Sequence, residues 1–259
     1  MIKVERQNML KRIIGSQGTV SIKELVEALG VSDVTIRRDL EELASAGEIV
    51  RVHGGARIAS PQRRSMLRHE LSHLEKRGQH AEEKIEIART AVSLIEEDST
   101  VFLGTGTTIE QMVPLLPSFH LRVITNSQSV FTLLEPLDHL ELCLIGGAYR
   151  RRTTAFVGPV AEDAMSAIGV DVAFIGANGI YGDAVSTSNM DEGRLQQLAL
   201  DQADTRYLVA DSSKVGRRDF YTFYSLSRID AVICESGVDA EVRARLEEHT
   251  KVICEPMGA

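Results

Sequence analysis

Residues 101–108 read VFLGTGTT: three apolar residues, the string Gly104-Thr105-Gly106-Thr107-Thr108, and then an amphipathic stretch. A strand that passes through glycines and hydroxyls into a helix offers backbone N–H groups and a helix dipole to a dianionic phosphate. Later strand-like runs end in similar fashion, at Asn126-Ser127, Gly146-Gly147, Asn178-Gly179 and Asp211-Ser212-Ser213-Lys214. Thr105, Thr107, Thr108 and Ser127 add hydroxyl donors, and Lys214 adds a mobile positive charge. No lysine follows Gly106, as a G-x-x-x-x-G-K-[ST] nucleotide loop requires, and Ile109 stands where a dinucleotide fingerprint needs its third glycine. A small phosphorylated molecule is the ligand that remains.

A second set of residues suits a larger polyanion. In DVTIRRDLEELASAG, Ile36, Leu40 and Leu43 recur at helical spacing and are expected to face a core. Val34, Thr35, Arg37 and Arg38 then lie on or beside the outward face near the helix start. Arg can pair bidentately with guanine, and Thr and Val can meet thymine methyls or phosphates. The preceding SIKELVEALG has Ser21 and Glu24 at capping-box spacing, a stripe of Ile22, Leu25, Val26 and Leu29, and a closing Gly30. Ser32 caps the next helix. Two short helices joined by a glycine turn make a helix-turn-helix. Beyond Gly47, EIVRVHGGAR alternates and turns at Gly54-Gly55, which predicts a hairpin wing with Arg51, His53 and Arg57 available for phosphates. Ser21 and Ser32 complete the expected DNA-contacting set.

The elements that must position these residues divide the chain. An earlier helix should bury Ile2, Met9, Leu10, Ile13 and Ile14 and end at Gly15–Gly18. Together with the helix-turn-helix and wing it forms a DNA-binding domain over residues 1–58. Residues 59–80, polar and basic, read as a linker that turns helical from Met66 to Arg77. Over residues 81–259, short apolar strands alternate with helices, the pattern of an α/β domain with a mainly parallel sheet covered on both faces. Ligands of such sheets bind at the carboxyl ends of the strands, where all five loops of the first paragraph should converge.

Composition agrees with two unlike parts. The chain has 259 residues and a formal charge of -8, with 14 Lys+Arg against 10 Asp+Glu (+4) in residues 1–80 and 15 against 27 (-12) beyond. A basic module on an acidic body suits nucleic acid. Cys143, Cys234 and Cys254 lie far apart in apolar runs, which predicts buried, inert thiols and neither zinc nor a disulfide. His69, His73 and His80 lack an acidic cluster that would complete a metal site. No apolar run spans a membrane and no signal peptide is visible, so a cytoplasmic protein is expected.

The string VSDVTIRRDLEELASAGEIVRVHGGA resembles the DNA-binding segment of the DeoR-type (DeoR/GlpR) bacterial transcriptional repressors, whose hallmark is V-S-x-x-T-x-R-R-D-L followed by R-V-H-G-G-A. The likeness continues: the family's L-D-S-G-T-T, T-N-S and D-S-S-K correspond to Leu103–Thr108, Thr125–Ser127 and Asp211–Lys214. It implies a sensor domain similar to ribose-5-phosphate isomerase. It also implies a repressor of a carbohydrate operon, released from operator DNA by a phosphorylated sugar or sugar catabolite, and a homo-oligomer, dimer or tetramer. No cofactor is expected. Two residues depart from the family pattern: Gly104 replaces an Asp, and Gln196 replaces a basic residue in E-A-x-x-K, with Arg194 or Arg150–Arg152 as substitutes for the charge. The alternative is an isomerase-like enzyme fused to a DNA-binding domain. Such isomerases carry an acidic D-G-A-D-E cluster where this chain has Gly176-Ala177-Asn178-Gly179, and that absence favours a sensor without catalytic residues.

Overall fold

The computed structural model describes residues 3–17, 19–45, 49–52, 54–58 and 71–256. The chain forms two compact units, Met1–His69 and Glu70–Ala259. The second begins inside the stretch 59–80 that the sequence assigns to a linker. Residues 59–70, with His69 and the first five residues of the helix expected from Met66 to Arg77, lie outside the described residues.

The first unit runs α1 (Lys3–Gln17), β1 (Thr19–Ser21), α2 (Ile22–Leu29), α3 (Asp33–Ser45), β2 (Ile49–Val52) and β3 (Gly55–Ile58). Local chemistry fixes the ends of α2. The Ser21 hydroxyl accepts the Glu24 N–H at 3.3 Å, and the Glu24 carboxylate accepts the Ser21 N–H at 2.7 Å. Gly30, left-handed at φ 64°, donates its N–H to Val26 O at 2.9 Å and closes the helix. Antiparallel β2 and β3 form the wing, and β1 pairs with β3. Leu10, Ile14, Leu25, Ile36 and Leu40 are fully buried in one cluster, the stripes the sequence assigns. One expectation fails: Met9 is 43% exposed, because Leu10 and Ile14, four apart, define the buried face of α1. The helix ends at Gln17, within the expected Gly15–Gly18, and Ile2 lies outside the described residues.

The second unit runs α4 (His73–Arg77), α5 (Ala81–Val92), β4 (Thr100–Leu103), α6 (Thr107–Met112), β5 (Leu121–Thr125), α7 (Gln128–Leu134) and β6 (Leu140–Leu144). There follow β7 (Ala148–Arg150), β8 (Ala155–Val157), α8 (Pro159–Ser166), β9 (Val170–Gly176), β10 (Gly179–Tyr181), β11 (Ala184–Thr187) and α9 (Met190–Asp201). The last elements are β12 (Ala203–Val209), β13 (Tyr221–Ser225), β14 (Ala231–Ile233), α10 (Ala240–Glu247) and β15 (Lys251–Ile253). Seven strands form a parallel sheet in the order β15-β14-β12-β9-β4-β5-β6.

Alternation along the strands feeds two cores. Val101, Leu103 and Phe174 join one cluster, while Phe102, Ala173 and Ile175 join the other. Burial on both faces is why these strands are apolar throughout. A three-stranded antiparallel sheet, β10-β11-β13, and the hairpin β7-β8 are additions the sequence did not reveal. Cys234 is buried, and burial, then the neighbouring Glu235, pushes its thiol far up; Cys143 and Cys254 are only half-buried.

The strand order locates the site. From β4 the chain steps to β5 and β6 on one side, then returns to β9 on the other side and continues to β12, β14 and β15. The winding reverses between β4 and β9. A crevice opens at such a switch point, outside the carboxyl ends of the strands.

Candidate functional site

On α3 the apolar face is buried and the polar face is open. Val34 is 75% exposed, and the Arg37 and Arg38 side chains are exposed beside it. The Ser32 hydroxyl accepts the Thr35 N–H at 3.3 Å and also bonds the Thr35 hydroxyl, so the helix start is capped. Arg37 pairs with Asp33, and Arg38 lies 3.8 Å from Glu42; each partner is one turn away on the same helix. Asp39, buried, takes Arg6 of α1 at 2.5 and 3.2 Å and ties the recognition helix to the first helix. On the wing, Arg51 lies 3.4 Å from Glu41. The backbone of Arg57 falls in β3, while His53 lies outside the described residues, as does the Arg57 side chain. Ser21, also expected at DNA, spends its hydroxyl on the α2 cap.

In the second unit a cavity opens at the switch point. Thr105, Gly106, Thr107 and Thr108 line it from the end of β4, Gly176, Ala177 and Asn178 from the end of β9, and Asp211 and Lys214 from beyond β12. Gly106 sits at φ 136°, a backbone L residues rarely adopt, and a Cβ there would meet nothing within 4 Å. The first-turn N–H groups of α6 have no carbonyl within the helix to bond, and Thr107, Thr108 and Ile109 all face this space.

Six of the expected residues do not line the cavity. Gly104 is packed under the loop, where a Cβ would lie 2.9 Å from the Ile175 Cδ1 and 3.3 Å from the Phe174 carbonyl oxygen, so a side chain there requires Ile175 to shift. Asn126 donates its side-chain N–H to Phe156 O at 3.0 Å, and the Ser127 hydroxyl caps α7 by accepting the Val130 N–H. Gly146 and Gly147 lead into the β7-β8 hairpin, with Gly147 close against Val157 O. Gly179 packs against the Arg217 carbonyl. These strands lie on the far side of β4 from β9, or turn away into the smaller sheet.

Other residues take their place. His73 and Lys76 of α4, Gln79, Lys84 of α5, and Glu192 and Gln196 of α9 all line the cavity. Three lysines therefore meet there. Lys76 donates to the Asn178 side-chain oxygen at 2.8 Å, and Lys84, itself buried, donates to the carbonyls of Lys76 and Gln79 at 2.6 and 2.5 Å. Burial, then the charge of Lys214, lowers the Lys84 pKa, with Asp211 in partial opposition. Burial opposes ionisation of Asp211, but Lys214 at 3.5 Å and the Ser213 hydrogen bond outweigh it and hold the carboxyl below its usual range.

Glu192 accepts from Arg150 at 3.2 Å and from the Thr153 hydroxyl. Arg150 is thereby turned to Glu192, and Arg194 is exposed and off the cavity wall, so neither replaces the charge lost at Gln196. Lys84 has a signal in the sequence: it precedes Ile87, Ala88 and Ala91 by three, four and seven residues, on the buried face of α5. Lys76 has none. His73 Nε2 lies 2.8 Å from the Glu110 carboxylate, and the His73 backbone N–H donates to Arg152 O at 3.0 Å.

A winged helix-turn-helix with an open basic face, on one chain with an α/β unit that gathers lysines at a strand switch point, defines a DNA-binding regulator with a ligand-binding body. The DeoR-like helix-turn-helix domain matches residues 6–62, and the DeoR C-terminal sensor domain matches residues 79–236. The lactose phosphotransferase system repressor of Streptococcus mutans is 38% identical, covering 98% of this chain and 100% of the relative. The protein of that name from Lactococcus lactis subsp. lactis is 36% identical over 98% of this chain and 99% of its own length. Ribose 5-phosphate isomerase A of Methanocaldococcus jannaschii overlaps at TM-score 0.38 and 18% identity, covering 51% of this chain and 53% of that one, too partial a likeness to bear on chemistry. The chain belongs to the DeoR family of transcriptional regulators. No described helix is long and apolar enough to cross a membrane.

Proposed function

We propose that the protein represses a carbohydrate operon and that a phosphorylated sugar, bound in the switch-point cavity, weakens its hold on operator DNA. The convergence of Lys76, Lys84 and Lys214 on one cavity carries this reading. Burial first, and then repulsion from Lys214, lowers the Lys84 pKa in this partly desolvated site. A phosphate dianion relieves that repulsion and takes charge-assisted hydrogen bonds. The name of the full-length relatives, repressors of a lactose phosphotransferase system, fits an effector of the same class. The two carboxylates that line the cavity, Glu192 and Asp211, are held by Arg150, Thr153, Ser213 and Lys214, and the protein acts as a sensor without turnover.

Specific binding by so small a head calls for two heads on half-sites about 10 bp apart or a multiple, hence a homo-oligomer. In a gel-shift titration on promoter DNA, hexose and pentose monophosphates should release the protein where the free sugars do not. Release by the free sugar at equal potency, or turnover of ribose 5-phosphate, would overturn the reading.

A further inference from the structure

We propose, resting on the phosphate-binding reading of this cavity, that Gln196 accepts a hydroxyl of the effector and selects a monophosphate with a neutral, hydroxylated body over a phosphorylated acid. Gln196 stands one turn after Glu192 on α9, lines the cavity and is 6% exposed. Its side-chain carbonyl oxygen is buried and finds no donor among the described residues. A buried acceptor left without a donor carries a desolvation cost that a ligand O–H removes. The cations come from α4, α5 and the loop after β12, where Lys214 is paired with Asp211, whereas α9 presents only the Glu192 carboxylate and the Gln196 amide.

A hydroxyl can donate to this wall. A carboxylate has nothing to donate and is opposed by Glu192. If the amide turned over, its N–H2 would face the ligand, but Glu192 would still disfavour a second anion. The other buried carboxylate of the cavity, Asp211, already has Lys214 3.5 Å from its Oδ2, which leaves Gln196 as the acceptor a ligand hydroxyl can satisfy.

The test is calorimetry on the full-length protein with inorganic phosphate, a set of hexose 6-phosphates, ribose 5-phosphate, and 6-phosphogluconate as the phosphorylated acid. The parent should bind one or more sugar monophosphates more tightly than 6-phosphogluconate. Gln196→Met, of similar length but without the acceptor, should weaken the tightest of them about tenfold, the scale of one hydrogen bond. Its affinity for inorganic phosphate should stay within about twofold. Gln196→Lys should shift the ratio toward 6-phosphogluconate, a change that a merely structural role for Gln196 would not produce.

A parent that prefers 6-phosphogluconate overturns the assignment, as does equal weakening of every ligand in both variants. Sugar-phosphate affinity unchanged in both variants overturns it too, while leaving the phosphate site standing. If the parent binds neither phosphate nor any sugar monophosphate, the effector reading fails and this one with it.

Discussion

The outer face of α3 and the cavity of the second unit both gather positive charge, but they hold it differently. Arg37 and Arg38 are exposed, and each leans on a carboxylate of its own helix, Asp33 or Glu42. Exposed pairs of that kind contribute little to stability, so a DNA phosphate or guanine can replace the carboxylate at small cost. In the cavity, Lys76 reaches Asn178, 102 positions away, and the Lys84 amine is fastened to two carbonyls at the end of α4. Those amines are fixed before a ligand arrives, which lowers the ordering cost of binding. The outer face of α3 holds its charge in exchangeable pairs, and the cavity holds its amines fixed.

The comparison breaks most sharply if the lysines prove dispensable. Lys214→Ala should weaken sugar-phosphate binding on the order of a hundredfold, as loss of a desolvated charge partner does, and leave operator binding intact. The result is a repressor that cannot be induced. Lys84→Met should lose as much ligand affinity and also loosen α4, because the two carbonyls lose their donor. Calorimetry with the full panel, alongside gel shifts, separates the two effects. A Lys214→Ala protein that binds the parent's best ligand unchanged sinks the cavity reading.

A pH titration sharpens the same contrast. Burial and Lys214 lower the Lys84 pKa in the free protein, and a bound phosphate should raise it again. Affinity should therefore be undiminished from about pH 6, where a phosphate monoester becomes a dianion, up to the lowered pKa, and fall as pH rises through it toward the bound value. Binding in alkaline buffers should take up protons, visible as a dependence of the heat on buffer ionisation enthalpy. Lys84→Met should abolish the uptake. Uptake that persists in that variant would assign the shifted proton to another group.

On the DNA face the effects should be smaller. Arg37→Ala and Arg38→Ala should each reduce operator affinity roughly ten- to hundredfold if the residue reads a base bidentately, and relax one position of the site. Equal loss on operator and random DNA would demote that arginine to a phosphate contact. Either result should leave the melting of the second unit and its ligand affinity unchanged. Unchanged binding in both variants would remove α3 from the interface.

The two regions were unequally legible for the same physical reason. Caps, turns and helix faces are written at spacings of three or four residues, so Ser21 with Glu24, Gly30, and Ile36 with Leu40 could be read directly. The parallel sheet was legible from its apolar runs. The cavity was half legible. Strand-end loops announced Thr105–Thr108, Asn178 and Lys214, but the sequence cannot say which strand ends are neighbours. Once the winding reverses between β4 and β9, Asn126, Ser127 and Gly146-Gly147 fall to one side and serve turns and caps. His73 and Lys76 came from a stretch read as linker, and only tertiary packing turns them inward.

The smallest effect concerns Ser21, which the sequence places both at a helix cap and in the DNA-contacting set. Its hydroxyl accepts the Glu24 N–H and donates to the Glu24 carboxylate, which in turn accepts the Ser21 N–H. Those backbone and side-chain hydrogen bonds from Ser21 hold the Glu24 carboxyl below its usual range. Ser21→Ala should then cost about 1 kcal/mol of first-unit stability, measured by denaturant titration. Operator affinity at low temperature, where the unit stays folded, should change less than about threefold, under the 1.4 kcal/mol that a tenfold change represents. Ser21→Asp keeps a capping acceptor and should preserve stability, yet it would repel a phosphate. If Ser21→Asp is stable but binds operator much more weakly than Ser21→Ala, the residue touches the DNA backbone as well as capping α2. If the two variants bind alike, its role is the cap alone.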